Sequence, residues 1–250
     1  MKSDFIEKRE IKIAYDLMSK FYDRGLALTR KIESLEEDCL KEIIGYLKKR
    51  ILDLGCGTGR YTLRLSYEQS YIAAIDISTG MLSVLKDKTR SVKKDAFIDV
   101  INADAERIPV RNNAFDNIIC TLAFDHFIDK ERVVNECSRV LKREGAFLFS
   151  IFNKNLLKFY RKMMDVPEGK VIFRLNKKLR IILYEDSLDL KSVVKIFKER
   201  GFQGKMLTGC FPLPASFKKI GFSSRVNMLL NRIFRNYAVL YIFLFIKGGQ

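Results

Sequence analysis

The fold of this chain follows from the stretch Ile51-Leu52-Asp53-Leu54-Gly55-Cys56-Gly57-Thr58-Gly59. Its first four residues have the pattern of a short buried strand, with apolar side chains on both sides of one aspartate. Glycine then occupies every second position, and a helical pattern begins directly afterwards. A glycine-rich turn between a strand and a helix leaves bare backbone for a ligand, and α/β proteins place nucleotides at this point. The stretch therefore predicts a nucleotide-type binding site.

The spacing of the glycines separates two kinds of nucleotide site. A dinucleotide site reads Gly-x-Gly-x-x-Gly/Ala, with a small residue in the sixth position. Counted from Gly55, the sixth position is Arg60, which does not fit that pattern. The order Asp53-x-Gly55-x-Gly57-x-Gly59 instead resembles motif I of the class I S-adenosylmethionine-dependent methyltransferases. The remaining alternative is a glycine-rich turn that binds nothing.

Strand and helix patterns alternate from this stretch onward. The predicted strands are 51–54, 71–75, 98–101, 117–121, 146–151, 203–208 and 238–246, and helices are predicted at 59–66, after Ser78, at 130–141 and after Ser187. Such alternation predicts an α/β fold with a doubly wound, mostly parallel sheet of seven strands. The resemblance implies a Rossmann-like methyltransferase fold whose last strand inserts antiparallel between strands five and six. Gly145 is expected to adopt a left-handed conformation after helix 130–141.

Aspartates end the first three strands, at Asp53, Asp76 and just past the third strand at Asp104. A carboxylate beyond the second strand can accept two hydrogen bonds from the ribose hydroxyls of an adenosine. The resemblance implies that Asp104 contacts the adenine amino group and that the backbone of Ala105 contacts a ring nitrogen. Each aspartate alone could be a cap, but three at successive strand ends favour a ligand site. The full set that the resemblance assigns to S-adenosylmethionine, with S-adenosylhomocysteine as product, is Tyr22, Asp53, Gly55, Cys56, Gly57, Gly59, Asp76, Ile77, Met81, Asp104, Ala105 and Leu122.

Residues 5–48 have helical periodicity, interrupted near Gly25. The segment 15–23, Tyr-Asp-Leu-Met-Ser-Lys-Phe-Tyr-Asp, resembles the N-terminal segment of the ubiquinone/menaquinone-biosynthesis-type methyltransferases. In that group a helix here folds over the cofactor, so the resemblance implies a helical cap with Tyr22, and Tyr15 as a second candidate, against it. The alternative is that both tyrosines only pack in the core.

The segment after the fourth strand holds the catalytic candidates, Asp125 and His126. His126 is the single histidine of the chain, and an imidazole beside the transferred methyl group could orient or deprotonate an acceptor. A structural role for His126 is the alternative, and Asp125 is the other candidate base. Methyl transfer from a sulfonium needs mainly alignment and exclusion of water, so no obligatory catalytic dyad is expected.

Composition excludes several classes of protein. The 250 residues are 48% hydrophobic, and no apolar run is long enough to cross a bilayer. The N-terminus is charged and has no apolar signal-peptide core, so we expect a cytoplasmic protein. The five cysteines include no Cys-x-x-Cys pair, which argues against a disulfide framework and a zinc site. No metal is expected. The formal charge is +16, and residues 154–250 hold 20 Lys and Arg against 6 Asp and Glu.

We expect a single methyltransferase domain over 1–250, with a helical cap (1–48), a cofactor-binding half (49–151), substrate-side additions (152–186 and 210–236) and segments that complete the sheet (187–209 and 237–247).

The basic C-terminal half is compatible with more than one class of methyl acceptor. Apolar residues in the additions favour an SN2 transfer to a small or lipophilic molecule. The alternatives are an RNA acceptor held by the basic half, or a protein that binds S-adenosylmethionine without catalysis. The basic half could also contact an anionic membrane or simply be a solvated surface. The oligomeric state is left open.

Overall fold

The computed structural model describes residues 2–24, 27–41, 43–47, 49–66, 70–91, 97–174, 180–211 and 233–248. In chain order the helices are α1 (Lys2–Tyr22), α2 (Ala27–Leu40), α3 (Arg60–Leu65), α4 (Thr79–Thr89), α5 (Lys130–Val140), α6 (Lys154–Met164) and α7 (Leu190–Lys198). The strands are β1 (Arg50–Leu54), β2 (Tyr71–Asp76), β3 (Phe97–Asn102), β4 (Phe115–Cys120), β5 (Leu141–Phe152), β6 (Lys170–Arg174), β7 (Arg180–Tyr184), β8 (Phe202–Cys210) and β9 (Leu240–Lys247). Short 3-10 turns lie at Ile44–Tyr46, Phe124–His126 and Arg235–Tyr237.

Seven strands form the central sheet in the order β3-β2-β1-β4-β5-β9-β8, and β6 and β7 form a separate hairpin. Strands β1 to β5 pair in parallel, whereas β9 runs antiparallel to both β5 and β8. This confirms the predicted fold class and the position of the last strand. The order reverses between β1 and β4, so the carboxyl ends of these two strands flank the crevice where α/β sheets bind ligands.

Strand β1 shows how the sheet is covered on both faces. Leu52 and Leu54 belong to a core cluster with side chains of α5 and α7, whereas Ile51 packs with Leu40 of α2 and Tyr61 of α3. Successive residues of a strand point to opposite faces, so helices on both sides bury the apolar pattern of β1. The strand that leads into the glycines is therefore fixed from both faces.

Two predictions of local structure are wrong. Glu144, not Gly145, has the left-handed backbone conformation, with φ 60°. Glycine is required at 145 because a Cβ there would lie 2.9 Å from the carbonyl oxygen of Asp116. Ser187 does not cap the next helix: α7 begins after Asp189, whose side chain accepts hydrogen bonds from Lys191 N and Ser192 N. Ser78 caps α4 as predicted.

The sequence of 152–186 predicts an apolar–basic helix and then a hairpin with its turn at 176–178, and the sequence of 210–236 predicts an amphipathic helix. The structure forms the first two as α6 and the β6–β7 hairpin. Ile181 and Leu183 of β7 pack against Ala14 and Met18 of α1, so the hairpin supports the N-terminal helix from outside the sheet. The predicted turn at 176–178 and most of the predicted amphipathic helix within 210–236 lie outside the described residues. In the part of the chain that the structure describes, no helix has the length and apolar character to cross a membrane.

Candidate functional site

The glycine turn after β1 is tied to β2 by its backbone. The N–H groups of Gly55 and Cys56 both donate to the carbonyl oxygen of Ile75, at 2.8 and 3.0 Å. Gly55, Gly57 and Gly59 all have positive φ, at 70°, 54° and 87°. A Cβ at Gly57 would meet nothing within 4 Å, whereas one at Gly59 would lie 2.2 Å from Leu85 Cδ1. Gly57 thus faces open space, and Gly59 lets α3 and α4 approach each other.

Asp76 closes the turn from the end of β2. Its two carboxylate oxygens accept hydrogen bonds from Gly57 N at 2.9 Å and from Ser78 N at 2.8 Å. Burial raises the pKa of Asp76, and these two N–H donors oppose the rise. Each carboxylate oxygen has two lone pairs, so both oxygens keep one for a further donor. The geometry leaves Asp76 able to bind a diol.

Helix α1 lies across the carboxyl end of the sheet and is fixed by aspartates. Asp16 accepts hydrogen bonds from Gly80 N and Ser78 Oγ at the start of α4, both at 2.7 Å. Asp23 accepts a hydrogen bond from Thr58 Oγ at 2.6 Å and pairs with Lys88 at 2.7 Å. A carboxylate at a helix N-terminus is favourable because the dipole is positive there. The N-terminal helix is therefore docked on the glycine turn and on α4.

A third link between α1 and the sheet is made by Lys8. Its ammonium group pairs with Asp104 at 2.8 Å and with Glu106 at 2.5 Å. Burial lowers the pKa of Lys8, but the two carboxylates outweigh it and the pKa is raised overall. Asp104 also accepts a hydrogen bond from Glu106 N at 2.9 Å. Lys8 therefore keeps its charge and bridges the cap to the loop after β3.

A cavity of about 280 Å³ lies under α1 and runs from the glycine turn to the loop after β4. Six acidic residues line it: Asp23, Glu33, Asp53, Asp76, Asp104 and Glu106. Three basic residues line it: Lys8, Arg60 and Lys88. The chain carries a formal charge of +16, yet acidic residues outnumber basic residues in the lining of its cavity. Such a lining suits a cationic ligand more than a phosphate.

Most residues predicted for the site line this cavity. They are Tyr22, Asp53, Gly55, Cys56, Gly57, Asp76, Ile77, Met81, Asp104, Ala105, Leu122 and His126. Gly59 and Asp125 are not among the lining residues. Burial raises the pKa of Asp53 to about 6 although Thr62 Oγ donates to its carboxylate at 2.6 Å. The structure thus brings twelve of the fourteen predicted site residues together around one cavity, and Gly59 and Asp125 lie outside its lining.

His126 lines the cavity with both ring nitrogens engaged. Its Nδ1 lies 2.8 Å from the carbonyl oxygen of Tyr184, which can only accept, so Nδ1 carries the proton. Its Nε2, 2.8 Å from the hydroxyl of Tyr15, then accepts a hydrogen bond from it. Burial lowers the pKa of His126 to about 4. The imidazole is neutral at pH 7 and holds Tyr15 against the cavity.

Asp125 lies behind the cavity in a buried polar cluster. Its Oδ2 accepts a hydrogen bond from Phe152 N at 2.7 Å, and its Oδ1 has no hydrogen-bond partner among the described residues. Burial raises the pKa of Asp125 to about 7, against the opposing effects of that N–H and of Lys130. Burial likewise raises the pKa of the nearby Glu185 to about 8. The carboxyl group of Asp125 thus holds its proton far above the usual range.

We expect the Asp125→Asn variant to gain stability relative to the wild type as pH rises from about 4 to about 7. In this window the folded wild type keeps a proton that an unfolded aspartate, with a pKa near 3.9, has lost. The stability from that proton is present below pH 4 and is lost as pH approaches 7. Asparagine does not titrate, so the relative gain should reach about 1–3 kcal/mol.

Urea unfolding at pH 4.5 and pH 8 measures this difference. Asp87→Asn is the control, because the Asp87 side chain is 66% exposed and its substitution should shift stability equally at both pH values. A constant difference between Asp125→Asn and wild type across the range would contradict the buried, protonated state of Asp125.

Two polar residues beneath the cavity were not predicted. Glu36 of α2 is fully buried, where its carboxylate contacts Arg60 and Ser150, and Ser150 Oγ accepts a hydrogen bond from Leu122 N at 2.9 Å. Tyr61 is among the lining residues, and its hydroxyl is buried without a hydrogen-bond partner among the described residues. A buried unpaired hydroxyl is costly.

Asp16 and Asp23 were also missed, although the sequence contains a signal for them. The dipeptide Tyr-Asp occurs twice, at 15–16 and 22–23. A spacing of seven places the two copies on one face of a helix. Both tyrosines line the cavity and both aspartates anchor α1. Each copy of the dipeptide thus contributes a tyrosine to the cavity lining and an aspartate to the docking of α1.

Comparison with known proteins agrees with this geometry. A family model described as "Methyltransferase domain" matches residues 52–149, which include the glycine turn, Asp76, Asp104 and His126. The match and the relatives described next support a class I S-adenosylmethionine-dependent methyltransferase. Within the described part of the chain no group of three or more His, Cys, Asp or Glu side chains is placed to hold a metal ion.

The chain is similar to curated methyltransferases whose acceptors differ. It is 34% identical to a ubiquinone/menaquinone biosynthesis C-methyltransferase of Wigglesworthia glossinidia brevipalpis, over 47% of this chain and 48% of the relative. It is 31% identical to a malonyl-[acyl-carrier protein] O-methyltransferase of Geobacter sulfurreducens, over 66% of this chain and 62% of the relative. The chain thus spans about half to three fifths of these curated relatives.

A solved structure shares the fold over nearly the whole chain. The magnesium protoporphyrin IX methyltransferase of Synechocystis, with bound S-adenosylhomocysteine, superposes with a TM-score of 0.68. The superposition covers 97% of this chain and 100% of the other, at 12% sequence identity. At this identity the likeness concerns the fold alone.

Proposed function

We propose that the chain transfers a methyl group from S-adenosylmethionine to a small or lipophilic acceptor. The observation that carries the proposal is one continuous cavity, which joins the glycine turn and Asp76 at one end to Leu122 and His126 at the other. A donor held at the first end would direct its reactive group toward the second. The family match supports the donor, and the cavity volume of about 280 Å³ supports a small acceptor.

The residues present fit S-adenosylmethionine. Asp76 offers two free lone pairs to the ribose hydroxyls, and the open space over Gly57 leaves room for close approach to the backbone. Asp104 and the backbone of Ala105 lie where the adenine is expected, with Lys8 paired to Asp104. The excess of acidic over basic residues in the lining suits the cationic end of the donor. When bound, the donor supplies an activated methyl group on a sulfonium.

The cap fixes the geometry of the reaction site. Tyr15 and Tyr22 lie on the cavity face of α1, with ring centroids 6.3 Å apart, and Tyr15 also makes an edge contact with the ring of His126 at 5.5 Å. These rings exclude water from the end of the cavity beside Leu122. Alignment and water exclusion of this kind can contribute up to roughly 7–11 kcal/mol in a transfer reaction. The protein's task in this account is to align the reactants for an SN2 displacement.

Catalysis by a base stays a prediction, and the geometry favours positioning roles for both candidates. His126 has its free lone pair occupied by the Tyr15 hydroxyl and a pKa of about 4, which makes it a weak base. Asp125 does not line the cavity. We infer that His126 orients Tyr15 and that Asp125 holds the end of β5 through Phe152 N.

The test is methyl transfer from methyl-labelled S-adenosylmethionine into a fractionated cell extract. We expect label in the small-molecule or lipid fraction, and a loss of at least about tenfold with Asp76→Ala because a charged hydrogen-bond acceptor is removed from the donor site. Asp116→Ala is the matched control, since Asp116 also accepts a backbone and a side-chain hydrogen bond but does not line the cavity. Label that enters only RNA or protein would contradict the proposed acceptor class, and no transfer into any pool would contradict the activity.

A further inference from the structure

Helix α6 has an apolar stripe on its outer side. Leu156, Phe159 and Met163 are 40%, 64% and 64% exposed, and their spacing of three and four places them on one face. The inner side is fixed by Leu157 and Arg161, both buried, and Arg161 Nε donates to the carbonyl oxygen of Lys170 at 2.9 Å. The stripe is therefore held outward by a firmly anchored helix.

The charged residues within helix α6 have one sign. Helix α6 contains no acidic residue, and its Lys158 and Lys162 are exposed beside the stripe. By contrast, the outer side of α1 also exposes Ile13, Leu17 and Phe21, but the charged residues of α1 have both signs. Only the α6 stripe combines exposed apolar side chains with an all-basic flank among the helices that the structure describes in full.

A second exposed apolar group adjoins the start of α6. Ile233, Phe234 and Tyr237 are 61%, 46% and 77% exposed. Their segment is joined to α6 by the capping residue Asn153, whose Nδ2 donates to the carbonyl oxygens of Asn236 and Ala238, both at 2.8 Å. We call the two groups together, Leu156, Phe159, Met163, Ile233, Phe234 and Tyr237 with Lys158 and Lys162, the α6 face.

We propose that the α6 face binds the surface of an anionic lipid bilayer. Apolar side chains of such a face enter the boundary between headgroups and acyl chains, and flanking lysines pair with lipid phosphates. We choose this partner on charge complementarity, because a helix whose charged residues are all basic suits a surface that presents many negative charges. An apolar–basic helix that lies on a membrane needs neither a spanning segment nor a pocket.

The α6 face is two contacts away from the cavity. Arg161 of α6 donates to the backbone carbonyl of Glu185, and the adjacent carbonyl of Tyr184 accepts the hydrogen bond of His126, which lines the cavity. A bilayer on this face would lie beside the acceptor end of the site. This link to a lipophilic acceptor rests on the proposed function, whereas lipid binding itself is measured without methyl transfer.

Vesicle sedimentation tests the proposal. The full chain is mixed with vesicles of phosphatidylcholine alone or of phosphatidylcholine and phosphatidylglycerol in equal parts. We expect binding to the anionic vesicles that weakens as salt rises, because the Debye length falls from about 10 Å at 0.1 M to about 3 Å at 1 M. Absence of binding to anionic vesicles, or equal binding to both compositions, would overturn the proposal.

Paired variants locate the binding face. Each lysine near an anionic surface contributes about fivefold in affinity, so the double variant Lys158→Glu with Lys162→Glu should bind anionic vesicles about 25-fold more weakly or worse. Lys191→Glu with Lys198→Glu makes the same charge change on exposed lysines of α7 and should change binding by less than about threefold. Equal losses of vesicle binding in the two double variants would show that binding depends on net charge alone, and would contradict binding through the α6 face.

The apolar half of the face has its own control. Phe159→Ser should weaken vesicle binding, whereas Phe97→Ser should not, since Phe97 is similarly exposed at 71% but lies on β3 at the opposite edge of the sheet. Circular dichroism and S-adenosylhomocysteine binding confirm that each variant is folded. Capture of RNA instead of vesicles by the α6 face would overturn the proposal. Because donor binding is measured separately, failure of membrane binding is distinguishable from failure of the proposed function.

Discussion

We expect alanine in place of Gly59 to lower the free energy of unfolding by about 2–4 kcal/mol. Gly59 has φ 87°, and a Cβ there would lie 2.2 Å from Cδ1 of Leu85. Leu85 is fully buried, so its side chain cannot move aside without displacing other core atoms. The effect adds left-handed backbone strain to overpacking between α3 and α4.

Gly57→Ala is the matched control for this substitution. Gly57 also has a left-handed backbone, with φ 54°, but an added Cβ meets no protein atom within 4 Å. Its cost should be limited to backbone strain of about 1–2 kcal/mol. Thermal or urea unfolding of the two variants measures the difference, and equal losses would contradict the close approach of α4 to the glycine turn.

The second large effect is expected on donor binding. Asp76→Ala should weaken binding of S-adenosylmethionine by about 1–3 kcal/mol, because hydrogen bonds to a charged group are removed. The substitution also frees the N–H groups of Gly57 and Ser78, which donate to this carboxylate. Loss of loop order therefore adds to the loss of ligand contacts.

Titration calorimetry of Asp76→Ala, Asp76→Asn and Asp116→Ala separates these contributions. Asparagine keeps one acceptor oxygen and should bind the donor with intermediate affinity. Asp116→Ala removes a carboxylate with two partners of its own at the other end of the sheet and should leave affinity unchanged. Wild-type affinity in Asp76→Ala would refute the assignment of Asp76 to the ribose.

The sheet could be predicted from sequence because its signals are local. Short apolar runs that end in glycine or aspartate, such as Leu52–Gly55, fix both the type and the end of each strand. Every predicted strand of the central sheet is present, with boundaries that differ from the prediction by at most five residues. The misplaced turn at Gly145 shows the limit: its glycine is required by a backbone contact with Asp116, which is distant in sequence.

The site was predicted in part for the same reason. Residues that follow the strands were located, since strand ends converge at one edge of a parallel sheet. The partners that fix them come from far along the chain: Glu36 reaches Ser150, Tyr15 reaches His126, and Lys8 reaches Asp104. Such contacts depend on how α1 and α2 dock, and helical periodicity does not specify docking.

The roles of Asp125 and His126 could be assigned only from their surroundings in the three-dimensional structure. Both residue types can act as a base, and the sequence could not distinguish a solvated side chain from a buried one. Burial raises the pKa of Asp125 to about 7 and lowers that of His126 to about 4, and the hydrogen bonds of both groups oppose these shifts. We therefore attribute the chemistry to alignment of the reactants within the cavity.

The central claim is that the cavity between the glycine turn and α1 holds S-adenosylmethionine. Its most direct test is calorimetric titration of S-adenosylhomocysteine into the wild type and Gly57→Ala. We predict one site per chain in the wild type and affinity at least about tenfold lower in the variant, since the added methyl enters the ligand's space. Absence of binding to the wild type, or equal affinity in a folded Gly57→Ala variant, would contradict the claim.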